Sequence, residues 1–130
     1  MSNPPYRLYT ILAADAVKAM KGNRGRMVTQ GGHGYLHAFW DAEARFPDDA
    51  GAYKAQKSAF KVTLVAETGD QLRDLMERYR PICGVALTEE TGSRMDGTVN
   101  EEVRAVTDIG IGPIREDLIG DDLKTLKTFL

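Results

Sequence analysis

One cysteine in 130 residues, Cys83, excludes an intrachain disulfide. It follows Pro81-Ile82 at the head of an apolar run, the setting of a buried, inert thiol rather than a nucleophile. No run of 18 apolar residues is present, and no charged start leads into an apolar leader. Neither a membrane span nor a secretion signal is expected, and the chain reads as cytoplasmic. The two histidines, His33 and His37, have the i, i+4 spacing of metal ligands, but no third ligand is evident and no metal site is expected. A further absence is local: no acidic residue occurs between Asp15 and Asp41.

That acid-free stretch organises the chain. It opens with Lys18, Lys21, Arg24 and Arg26, four of the 17 Lys and Arg, while the other 13 face 19 Asp and Glu. A net charge of −2 is not the balance of a protein that binds nucleic acid over its whole surface. The uneven distribution instead directs any anionic partner to this one segment. Hydrophobic residues at 42% are enough for one packed domain.

From Arg24 to Arg45 the pattern is helical. Arg26, Gln30, His33 and His37 fall on one polar face. Met27, Gly31, Gly34, Ala38 and Ala42 form a second, narrow face of mostly small residues. Each mid-helix glycine costs roughly 0.5–1 kcal/mol relative to alanine, so Gly31, Gly32 and Gly34 imply close approach of a backbone or a ligand. Packing is the better explanation for Gly31 and Gly34. Phe39 and Trp40 are stacking candidates or core residues.

The remaining elements follow from periodicity. Tyr6–Ala14 reads as a central strand, and Asp15–Asn23 as a Lys- and Gly-rich loop. Pro47–Gly51 has turn chemistry, and Ala59–Ala66 alternates as a strand. Thr68 and Gln71 have capping-box spacing before a helix carrying Leu72, Leu75, Met76 and Tyr79. Ile82–Leu87 is a third strand, followed by a polar loop over Thr88–Asn100 with Glu89, Glu90 and Asp96. A fourth strand within Glu101–Ile111, carrying Val103, Ala105 and Val106–Ile111, is expected to stop at Gly110-Ile111-Gly112-Pro113, with Pro113 opening a short helix toward Glu116 and Asp117. Leu123, Leu126, Phe129 and Leu130 close the core. This alternation predicts a single α/β domain over 1–130 with helices on both sheet faces. Ligands in such folds bind at the carboxyl ends of strands, where the loops after the first and third strands would meet if those strands are parallel.

Arg24-Gly25-Arg26-Met27-Val28-Thr29-Gln30-Gly31-Gly32-His33 resembles the R/K-G-K-[IL]-A-x-Q-x-x-H segment of the type 2 peptidyl-tRNA hydrolases. Gln56-Lys57 is similar to that family's G-Q-K-K-V-V, Ile109–Pro113 to its I-G-P, and Leu123-Lys124 with Leu126 to its terminal G-x-L-K-L-L. These matches keep the family's order across nearly the whole chain. The resemblance implies a three-layer α/β/α domain with a four-stranded mixed β-sheet, a homodimer, and no cofactor. It also implies hydrolysis of the ester between a peptide and the tRNA 3′ ribose, which recycles stalled peptidyl-tRNA.

On the same resemblance, the family lysine falls on Arg26, its glutamine on Gln30 and its histidine on His33. The D-A-G-x-T motif has two carriers. One is Glu90-Thr91-Gly92 with Arg94 in the threonine place; the other is Asp96-Gly97-Thr98, in a loop about five residues longer than usual. Two hypotheses follow. In the first, Glu90 or Asp96 activates water, Arg26 and Gln30 hold the carbonyl oxygen and phosphate, and Lys18, Lys21 and Arg24 contact tRNA. In the second, the fold is kept as a catalytically impaired RNA- or anion-binding module, because arginine clamps phosphate but does not give up a proton.

Overall fold

A computed structural model of the chain describes residues 5–91 and 104–129. Strand β1, Tyr6–Ala13, is buried from Leu8 to Ala13. Helix α1, Ala14–Ala19, follows at once, and α2 spans Arg24–Arg45. Then come α3, Pro47–Ala55; β2, Lys61–Ala66; and α4, Gly69–Tyr79. Strand β3, Val85–Thr91, and β4, Arg104–Arg115, lead to a 3-10 turn at Glu116–Leu118. A short α5, Asp121–Lys124, and β5, Lys127–Thr128, end the described chain.

The fold is mixed α/β, as the alternation predicts. Its sheet has five strands in the order β3-β4-β1-β2-β5, not four. The fifth, β5, is two residues long and pairs antiparallel with β2 through Leu64–Thr128 and Val65–Lys127. Too short to carry an alternation, it is invisible in the sequence. Strands β1 and β2 are parallel, and β4 runs antiparallel to both β1 and β3. Hence β1, β2 and β3 share one direction, and their carboxyl ends open on one edge.

Neighbouring residues of β1 serve different clusters. Tyr9, Ile11 and Ala13 join Leu72, Leu75 and Tyr79 of α4, with Ile109 and Ile111 of β4. Leu8 joins Ala38 of α2 and Tyr53 of α3. The period of two along the strand makes that division. Cys83 is fully buried, and burial pushes its thiol up to about 12, so it is inert. The capping box of α4 forms as expected: the Gln71 N–H donates to Thr68 Oγ1 at 3.4 Å and the Thr68 N–H to Gln71 Oε1 at 3.2 Å.

Four segments correct the sequence reading. Asp15–Asn23 is not all loop, because α1 buries Ala16, and its C-cap Met20 is buried one helical turn on; the turn runs from Met20 through Lys21 and Gly22, the last two with positive φ. Pro47–Gly51 is helical: Pro47 occupies the first turn of α3, and Asp48 and Asp49 lie at its positive end. Strand β3 runs on to Thr91, so Glu89 and Glu90 are strand residues. Strand β4 continues through Gly112-Pro113 instead of stopping there. Tyr9 pairs with Ile111 and Arg7 with Ile114, so Gly112 and Pro113 together oppose Leu8 in a bulge, where proline's missing N–H breaks no ladder bond.

The far end of α2 is tied to the start of β3. Asp41 accepts the Val85 N–H at 2.9 Å, while Arg45 donates to the Asp41 carboxylate and, at 2.9 Å, to the Cys83 carbonyl oxygen. The Arg45 guanidinium holds the Asp41 carboxyl below its usual range. With that end fixed, the arginine-bearing start of α2 is directed along the sheet.

Candidate functional site

The cationic segment follows β1 and so lies at the sheet edge where β3 also ends. Lys18 is exposed on α1, Lys21 sits in the turn, and Arg24 begins α2. Asn23 caps α2 by accepting the Arg26 N–H at 3.1 Å. No acid occupies the first turn. Two arginines therefore stand at the positive end of the helix dipole, an unfavourable placement by roughly 0.3–1 kcal/mol each that an anion would reverse.

The small-residue face of α2 allows the helix to lie unusually close to the sheet. Gly31, Gly34, Ala38 and Ala42 are buried as expected. A Cβ on Gly110 would collide with the Gly34 carbonyl oxygen, and one on Gly34 would collide with Thr10 Oγ1 and lie 2.8 Å from Asp108 Oδ2. This close approach also changes the place of Gln30. It is 4% exposed, so it belongs to the buried face and not to the polar one assigned to it.

Beside Gln30, strand β4 changes parity. Val106, Ile109 and Ile111 all belong to the α4-side cluster, yet 106 and 109 differ by an odd number. The register slips between Thr88–Asp108 and Glu89–Val106, leaving Thr107 without a partner in the ladder. Such a bulge aims Thr107 and Asp108 together toward α2. Both are fully buried. Thr107 Oγ1 lies 2.9 Å from Asp108 Oδ1, 3.2 Å from Gln30 Oε1 and 3.3 Å from the Thr88 carbonyl oxygen. Asp108 Oδ2, Thr10 Oγ1 and Thr88 Oγ1 are buried without a hydrogen-bond partner among the described residues. Burial, opposed by the Thr107 and Thr88 side chains and reinforced by the nearby negative charge of Glu90, pushes the Asp108 carboxyl up to about 7.

The two adjacent glutamates of β3 separate. Glu89 pairs with Arg73 of α4 at 2.6 Å, whereas Glu90 acts electrostatically on Asp108. The structure thus groups Gln30 and Glu90 of the expected set with Thr107 and Asp108. It does not group His33 with them. His33 and His37 stack at 5.4 Å, and His37 and Trp40 at 5.5 Å, forming a partly exposed ladder along α2. Arg94, Asp96 and Thr98 lie outside the described residues.

An open cavity of about 660 Å³ runs between α2 and the β1–β2 side of the sheet. Thr10, Leu12, Arg24, Met27, Tyr35 and Phe129 contribute to its lining. It is mainly apolar with one cation, suited to the apolar part of an anionic ligand. Among the described residues no group of three His, Cys, Asp or Glu is placed to hold a metal ion, and no helix is long and apolar enough to cross a membrane.

Thr107 and Asp108 are the residues that sequence reasoning missed. The available signal was the Thr-Asp pair inserted between Val106 and Ile109, which breaks the period of two in an otherwise apolar strand.

No protein-family model matches the chain, and no curated protein matches it in sequence.

Proposed function

We propose that the protein is a hydrolase of peptidyl-tRNA, or of a similar acyl ester on an RNA 3′ end, built on a three-layer α/β/α frame. The layering is supported by the division of β1 between the α4 cluster and the α2–α3 cluster. One observation carries the functional reading. Gln30, one helical turn beyond Arg26, is buried against Thr107 and Asp108, at the sheet edge that also holds Glu90 and the cationic turn. A polar amide, a carboxylate and a cluster of cations thus lie around one end of the sheet, as ester cleavage on a polyanion requires.

In this reading Lys18, Lys21 and Arg24 attract the RNA backbone, and Arg26 clamps the terminal phosphate. The Gln30 amide donates to the ester carbonyl as negative charge develops on its oxygen. Glu90, or Asp96 from the segment that follows, orients the attacking water. The arginine in the family lysine position confines that residue to charge stabilisation, because it stays protonated. His33 takes no proton in this scheme.

The test is hydrolysis of a labelled N-blocked aminoacyl-tRNA by the purified chain, with Arg26→Ala and Gln30→Ala as controls of verified fold. Turnover lost in both controls supports the reading, and undiminished turnover in both removes it. A folded protein that binds tRNA without cleaving it is the catalytically impaired binding module.

A further inference from the structure

Thr107 has one hydroxyl proton and three oxygens around it: Asp108 Oδ1 at 2.9 Å, Gln30 Oε1 at 3.2 Å and the Thr88 carbonyl at 3.3 Å. An ionised Asp108, a Gln30 carbonyl and a peptide carbonyl are all acceptors, and one proton serves only one of them well. The shortest contact, to a charged acceptor, would claim it. Gln30 Oε1 would then face the lone pairs of a hydroxyl and be driven to turn its amide over. The observed arrangement, with Oε1 toward Thr107, is satisfied when the carboxyl group donates to Thr107 and Thr107 donates to Gln30.

We propose that the Asp108 carboxyl group, donating through Thr107, is a positioning residue that fixes the Gln30 amide with Oε1 toward Thr107, so that its Nε2 donors are held in the orientation that serves the substrate carbonyl. The surroundings favour this form. Among the described residues, no cation is recorded facing the carboxyl: β1 offers Thr10, α2 offers Gln30 and Gly34, and β3 offers Thr88 and the negative charge of Glu90. Burial and Glu90 push the group up to about 7, so the donating form prevails below neutral pH and is lost above it. Asp108 touches no substrate; it acts through Thr107 and Gln30. The catalytic consequence rests on the hydrolase reading, whereas the coupling of Asp108 to Gln30 does not.

Two measurements separate these. In the ¹⁵N-labelled protein, the Gln30 side-chain NH₂ resonances, assigned by their disappearance in Gln30→Glu, are expected to titrate with a midpoint near 7 in the wild type and not in Asp108→Asn. Asparagine supplies a permanent donor to Thr107. In turnover, kcat/KM for the N-blocked aminoacyl-tRNA is expected to fall about tenfold per pH unit above the midpoint in the wild type. Asp108→Ala is expected to lose turnover about 100-fold, the low end for an unaligned oxyanion donor. Asp108→Asn is expected to rescue most of it with a flat alkaline limb. Gln30 resonances that titrate identically in wild type and Asp108→Asn would overturn the inference whatever the turnover. A protein with no turnover but with the Asp108-dependent titration would refute the hydrolase reading and leave the coupling intact.

Discussion

Gly34 on α2 and Gly110 on β4 meet backbone to backbone: a Cβ on Gly110 would collide with the Gly34 carbonyl oxygen and lie 2.8 Å from the Ala38 Cβ. This approach sets the depth of α2 on the sheet, and with it the burial of Gln30 and the roof over Asp108.

Alanine at these two positions should therefore be costly. Gly110→Ala and Gly34→Ala are each expected to destabilise by about 1–3 kcal/mol or more, since the first meets the Gly34 backbone and the second the short, buried side chains of Thr10 and Asp108. Gly32→Ala has open space around it and is expected to stabilise by roughly 0.5–1 kcal/mol. Urea unfolding of the three variants checks the contrast. Equal midpoints for Gly32→Ala and Gly110→Ala would contradict the close approach.

Asp108 should leave a signature in the pH dependence of stability. Its folded pKa, about 7, lies above the unfolded value near 4. Between the two values the folded state holds the proton and the unfolded state does not. Stability therefore falls as pH rises through this window, by roughly 1.4 kcal/mol per unit at most, and levels off above 7. Subtracting the stability profile of Asp108→Asn from that of the wild type should isolate this slope. A difference that is flat between pH 4 and 7 would show that the carboxyl is not protonated in the fold.

The glutamates of β3 give a paired test. Glu89→Gln removes a half-exposed ion pair with Arg73 and should change stability by no more than about 1 kcal/mol, with turnover unaffected. Glu90→Gln should lower turnover of the acyl-RNA ester by about 100-fold or more if Glu90 orients the water. It should also move the Asp108 midpoint down, because a neighbouring negative charge is removed. Turnover that survives Glu90→Gln but not Asp96→Asn assigns the water to Asp96.

The cationic turn should show in salt dependence. Neutralising Lys18, Lys21 or Arg24 is expected to weaken RNA binding. The slope of log affinity against log salt should fall by roughly 0.7–0.9 for each phosphate that is no longer neutralised. Filter binding over a salt series reads this directly. Slopes unchanged in all three variants would place the RNA elsewhere.

Breaking the α4 capping box tests the local chemistry away from the site. Thr68→Ala removes the oxygen that accepts the Gln71 N–H and is expected to cost about 1 kcal/mol without altering turnover. Thermal unfolding measures it.

Whatever local chemistry decides was legible in the chain. The ends of α2 at Arg24 and Arg45, the Thr68–Gln71 box, the small-residue face of α2 and the burial of Cys83 follow from caps, periodicity and residue size. The common edge of the loops after β1 and β3 followed once the strands proved parallel. Where one local pattern has two meanings, tertiary packing chose between them. Pro47-Asp48-Asp49 begins a turn or a helix equally well, and burial of Ala50 and Tyr53 selects the helix. Glu89 and Glu90 are alike in sequence, and only their positions on β3 give one to Arg73 and the other to Asp108. The candidate site lies on the same side of that division. A polar side chain on a helix or strand is exposed by default, and only the approach of two glycine backbones and a one-residue slip in β4 bury Gln30, Thr107 and Asp108 against one another.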